Sequence, residues 1–71
     1  MNRDEELENL AKKIKKLRLS QGISQERLAE NCDFDRTYIS MLERAKRNPS
    51  YLNLLKLSRG LDVPLSLLLS D

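Results

Sequence analysis

The chain has 71 residues, 39% of them hydrophobic and 34% charged, and a formal net charge of +2. That length allows one domain with one core. The composition lies well away from that of disordered or membrane proteins, and no stretch approaches the roughly 20 apolar residues of a span. Cys32 is the only cysteine and histidine is absent, which excludes an intrachain disulfide, a thiolate–imidazole nucleophile and a zinc ligand set; neither an enzyme nor a bound metal or cofactor is expected. The start, MNRDEELENL, lacks a signal-peptide core, so a cytoplasmic protein is expected. A chain this short buries only roughly 60% of its unfolded surface, which makes a partner subunit an expectation as well.

Leu7, Leu10, Ala11, Ile14 and Leu17 recur at three and four residues and predict a first helix of about five turns that ends before Gly22, a left-handed terminator. Four acids between Asp4 and Glu8 suit the positive end of that helix's dipole. Five cations and no acid follow between Lys12 and Arg18; of these Lys12, Lys13 and Lys16 read as solvated helix face. Ser24 has the chemistry of an N-cap, with Ile23 before it and Leu28 four positions into the helix as a hydrophobic staple. Leu28, Ala29 and Cys32 then form the apolar stripe of a second helix, on which Cys32 reads as a small buried hydrophobe.

Asp33 falls where the chain must reverse, and Asp tolerates positive φ better than most residues. Phe34, Asp35 and Ile39 repeat the staple and cap at the next start, and Tyr38, Ile39 and Leu42 carry the third helix's apolar stripe. Asn48-Pro49-Ser50 is a breaker followed by an N-cap; Tyr51, Leu54, Leu55, Ser58 and Leu61 mark a fourth helix closed by Gly60 and Asp62. Pro64 suits the first position of a short fifth helix over 64–69. Leu65, Leu67, Leu68 and Leu69 surround that helix, and one small core cannot cover every face of it. Together with Leu52 they predict packing on a second chain, the alternative being a frayed, merely hydrophobic tail. No strand signal is present, so the fold class is all-α.

Residues 24 to 48 are therefore two short amphipathic helices separated by a four-residue turn, the pattern of a helix-turn-helix reader of DNA. Steps of 100° per residue place Arg36, Thr37, Ser40, Met41 and Arg44 around the outward side of the second helix. That stripe holds two cations and no carboxylate. Glu43 lies at its edge, placed to pair inside the structure. Arg44 is followed closely by two further cations, Lys46 and Arg47. The ring of Tyr38 belongs to the edge of the core while its hydroxyl is within reach of a phosphate, and both roles stay open.

The joint occurrence of Arg18, Gln25, Ala29, the DRTYIS run, Glu43-Arg44 and Asn48-Pro49-Ser50 resembles the Cro/CI-type (XRE-like) helix-turn-helix family, over nearly everything after Lys12. The segment FDRTYISMLERAKRNPS is most similar to the small controller proteins of restriction-modification systems. The resemblance implies one five-helix Cro/CI-repressor-like DNA-binding domain, residues 1–71, that dimerises through its C-terminal helix. Two recognition helices would enter successive major grooves of a partly palindromic operator. Gln25 matches a residue that bonds phosphate and buttresses the recognition helix. Arg36, Thr37, Ser40 and Met41 match base-facing positions, where Arg offers a fork to guanine and Thr or Met meets a thymine methyl. Tyr38, Arg44, Lys46, Arg47 and Asn48 match positions that grip the DNA backbone, and Arg18 with Glu43 matches a structural ion pair.

Two departures stand out: Asp33 and Asp62 occupy turns where the family usually has Gly, so those turns are expected to be strained or altered in shape. Some relatives use acidic residues near this turn to touch the polymerase sigma subunit, a role that would fall to Glu30 and Asp33. The function so implied is a homodimeric regulator of transcription that activates its own operon at low occupancy and represses it when a second dimer binds. A phage-type repressor or antitoxin of the same fold, and a protein-binding adaptor, are the alternatives.

Overall fold

A computed structural model describes residues 3–70 and contains five helices: α1 (Arg3–Ser20), α2 (Gln25–Cys32), α3 (Arg36–Glu43), α4 (Tyr51–Gly60) and α5 (Leu65–Leu69). Of the expected domain, residues 1, 2 and 71 lie outside the described residues. Among those described there is no strand and no helix long and apolar enough to cross a membrane. Three residues, 33–35, join α2 to α3, one fewer than the expected turn.

The first four helices stop by the same device. At each end one residue adopts a left-handed conformation: Gly22 (φ 69°), Asp33 (φ 60°), Ala45 (φ 59°) and Asp62 (φ 55°). The residue after each then donates back to the carbonyl five positions earlier, Ile23 to Arg18, Phe34 to Ala29, Lys46 to Met41 and Val63 to Ser58, at 2.8 to 3.3 Å. These are Schellman closures, which satisfy carbonyls that a helix end would otherwise leave bare. Only the first uses glycine.

Helix starts are less uniform. Ser24 Oγ accepts from the backbone N–H of Arg27 at 3.0 Å, and Ser50 Oγ accepts from that of Asn53 at 3.1 Å. Asp35 stands at the N-cap of α3 in extended conformation, yet its carboxylate makes no capping bond; its backbone carbonyl receives Tyr38 N–H at 3.0 Å instead. Pro64 is the cap of α5 and not its first residue, because its ψ of 148° is extended.

Every element contributes to one core. Ile14, Leu28, Ile39, Leu57 and Leu61 are fully buried, and Ala29, Cys32, Leu42 and Leu68 complete the cluster. α2 packs on α3 and α4, α1 on α3 and α5, and α4 on α5. The radius of gyration, 10.9 Å, is what about 71 residues packed around a single core require. Two expectations need correction. The buried face of α4 is centred on Leu57, whereas Tyr51, in the first turn and on the flank of that face, is 65% exposed. Leu68 points into the protomer's own core at 2% exposure, because α5 lies against α1 and α4 and is tied down by Lys13, whose ammonium donates to the Ser70 carbonyl and, at 3.1 Å, to its hydroxyl. Leu68 is therefore a core residue and has no surface for a partner. Leu65 is half-buried; Leu52, Leu67 and Leu69 remain exposed.

Candidate nucleic-acid interface

Burial of Ile39 and Leu42 turns the rest of α3 outward. Arg36 and Thr37 are exposed, Ser40 and Met41 are half-buried, and Arg44, the residue that caps the helix, is exposed. The acid of this helix is withdrawn. Glu43 keeps only 3% of its side chain accessible, where Arg18 meets it with two parallel bonds, Nε to Oε2 at 2.6 Å and Nη2 to Oε1 at 2.9 Å. Gln25 Nε2 adds a third donor to Oε1 at 3.0 Å, and the remaining Arg18 nitrogen, Nη1, donates to the Ile23 carbonyl at 3.0 Å. A fork-to-carboxylate pair of this kind is charge-assisted and directional. It raises the Arg18 pKa above its ordinary value, first through the Glu43 hydrogen bonds, against a smaller opposing effect of burial.

The consequence is electrostatic. With Glu43 neutralised inward, the outward side of α3 presents guanidinium, hydroxyl and thioether groups and no free carboxylate. Gln25, the first residue of α2, holds the end of α3 from one side while its second amide hydrogen stays available to an acceptor such as phosphate.

The corner between α3 and α4 carries the second set. Arg44, Lys46, Arg47 and Asn48 are all exposed. The Arg44 Nε donates to the Ser40 carbonyl at 3.3 Å, which lays its side chain along α3. The Arg47 guanidinium stands 5.1 Å above the centre of the Tyr38 ring, a cation–π contact. That ring is half-buried and meets Phe34 edge-on at 4.7 Å, and its hydroxyl accepts from Asn53 Nδ2 at 3.0 Å. Tyr38 thus occupies the edge of the core and still has its hydroxyl proton to donate, so the two roles open at the sequence level are compatible. Nothing in the sequence marked Asn53 as the partner of Tyr38, since an Asn three residues after a cap is an ordinary helix start. Ala45 was equally silent.

Glu30 and Asp33 are exposed; Glu30 lies 3.7 Å from Arg27, a solvent-exposed pair. Cys32 is buried, and burial pushes its thiol up to about 11, with Lys56 acting the other way. That is the behaviour of a packing residue and not of a nucleophile.

Comparison with known proteins agrees with this geometry. A helix-turn-helix family profile matches residues 14–68. The control protein C.MunI of a Mycoplasma species is 52% identical over 60 residues, which are 83% of this chain and 81% of that one. The crystal structure of the restriction-modification controller protein C.AhdI from Aeromonas hydrophila superposes with a TM-score of 0.85 at 39% identity, over 87% of this chain and 94% of that one. The controller protein C.Esp1396I, solved as a tetramer in complex with its natural 35 base-pair operator, superposes with a TM-score of 0.82 at 40% identity, over 87% and 82% of the two chains. From α1 to α5, the chain belongs to the Cro/CI-type (XRE-like) helix-turn-helix family, in the group of restriction-modification controller proteins.

Proposed function

We propose that this protein is a homodimeric, sequence-specific regulator of transcription that works in the cytoplasm on a partly palindromic operator and controls a restriction-modification operon, activating it at low occupancy and repressing it at high. It has no catalytic role. The observation that carries this is the outward side of α3, cationic and polar with its one acid bound inward by Arg18. A protein-binding adaptor would have no need to remove that acid. In this assignment Arg36, Thr37, Ser40 and Met41 face base edges in the major groove, and Gln25, Tyr38, Arg44, Lys46, Arg47 and Asn48 hold the phosphates on either side. Leu52, Leu67 and Leu69, exposed on α4 and α5, meet their counterparts in the second protomer; Leu65, half-buried beside them, supports that face. Two-fold symmetry then sets half-sites about 10 base pairs apart.

Selection of bound duplexes from a random pool at stated salt tests this directly. An inverted repeat with that spacing is expected, bound with an affinity that falls steeply as salt rises. Recovery of no enriched sequence, or no retarded species in dilute buffer, would overturn it. Glu30 and Asp33, exposed at the end of α2 and in the turn that follows it, are assigned to the polymerase sigma subunit. Transcription in vitro with Glu30→Lys should lose activation while operator binding persists; retention of both would remove that assignment.

A further inference from the structure

Asp4, Leu7 and Glu8, three and four residues apart on one face of α1, line a groove of about 330 Å³ whose other wall is Arg44, Ala45 and Lys46. The walls carry opposite charge, and all four charged side chains are exposed. Among the described residues no ion pair closes across the groove. The carboxylates therefore stand beside two backbone-gripping cations without neutralising them by contact. Helix chemistry explains an acid in the first turn, Asp4. The dipole acts less on Glu8, the sixth residue of α1, because its influence fades within the first turn.

We infer that Asp4 and Glu8 are affinity-setting residues, a built-in competitor for the phosphate that Arg44 and Lys46 would hold, an assignment that rests on α3 being the DNA-reading helix. Phosphate binding is independent of sequence and supplies nearly all non-specific affinity. An acidic lip fixed next to two of the phosphate donors repels the incoming strand and offers the cations an alternative partner. The electrostatic grip is then weaker than the cation count suggests, and occupancy depends more on contacts made in the groove of the right sequence.

The test is equilibrium binding, by fluorescence anisotropy, to a mixed-sequence duplex of about 30 base pairs, which spans two half-sites with flanks. The Asp4→Asn/Glu8→Gln protein is expected to bind about three- to tenfold tighter than the parent near 50 mM salt, the gain fading as salt rises. A control, Glu6→Gln/Asp62→Asn, changes net charge by the same amount at exposed positions outside the groove and should gain less than half as much. Adding Arg44→Ala and Lys46→Ala should abolish the gain of Asp4→Asn/Glu8→Gln. Loss of the first-turn acid Asp4 weakens α1, which can only lower binding, so tighter binding cannot arise from damage to the fold. Equal gains in variant and control, or no gain while the parent binds, would overturn the inference alone; a parent that binds no duplex would overturn the DNA assignment and this inference with it.

Discussion

Arg18 and Glu43, 25 positions apart, lock the end of α1 to the end of α3 through two parallel hydrogen bonds in a site where their side chains are 9% and 3% exposed. The pair both fixes α3 against α1 and removes its negative charge from the surface.

Arg18→Ala leaves the Glu43 carboxylate buried with only Gln25 to satisfy it, and also strips a donor from the Ile23 carbonyl. The cost should be roughly 3 kcal/mol, since breaking one side of a buried pair strands the other charge. Chemical denaturation should show a lower midpoint with an unchanged slope. Replacing both partners, Arg18→Met with Glu43→Leu, should recover part of the loss. An unaltered midpoint in Arg18→Ala would mean the pair is ornamental to stability.

Gly60 faces α2 so closely that a methyl group there would collide with Cys32 Sγ and crowd the Cys32 nitrogen at 3.2 Å. Gly60→Ala should therefore destabilise by about 1–3 kcal/mol, as overpacking does. Cys32→Ala should rescue it in part, because the backbone contact remains. The same thiol gives a pH signature: its folded pKa, about 11, exceeds the ordinary 9.0. Its contribution is complete below pH 9.0 and is lost as pH rises through about 11, since the unfolded chain sheds the proton first. Stability measured from pH 8 upward should decline over that window, and Cys32→Ala should flatten the decline.

Neighbouring leucines of α5 should behave as opposites. Leu68 is 2% exposed and Leu69 is 59% exposed. Leu68→Ala should cost about 2–5 kcal/mol in folding. Leu69→Glu should leave the monomer's fold intact and shift the sedimentation profile from dimer towards monomer. A Leu69→Glu protein that remains dimeric would place the interface elsewhere.

Arg36 and Arg47 should separate base from backbone contact. Arg36→Ala should lose about 1–3 kcal/mol on the operator and relax preference at a single base pair. Arg47→Ala should weaken every sequence alike and lower the salt slope by about 1. Matching losses at every site would show the two roles to be misassigned.

Much of this architecture is visible in the residues themselves. Ser24 and Ser50 announce caps, Asp33 and Asp62 sit at the left-handed turns their chemistry tolerates, and the 100° spacing of Arg36, Thr37 and Arg44 separates them from Ile39 and Leu42. What local pattern does not specify is which of several leucines a packed neighbour will cover. Leu57 and Leu68 are inside, and Tyr51 and Leu69 outside, because of where α2 and α1 happen to lie. The Asp35 carboxylate declines the cap its type suggests, and Ala45 takes a left-handed turn with no side-chain signal at all. Each of these depends on the rest of the molecule and not on its flanking residues.

Three of the four left-handed helix terminators carry a side chain, Asp33, Ala45 and Asp62, and such a conformation costs an L-residue about 1–2 kcal/mol. The domain accordingly holds unspent thermal headroom at its joints. Ala45→Gly should raise the melting temperature by a few degrees, corresponding to about 0.5–1 kcal/mol, and heat scans of the three single glycine variants would rank how much endurance each hinge forgoes.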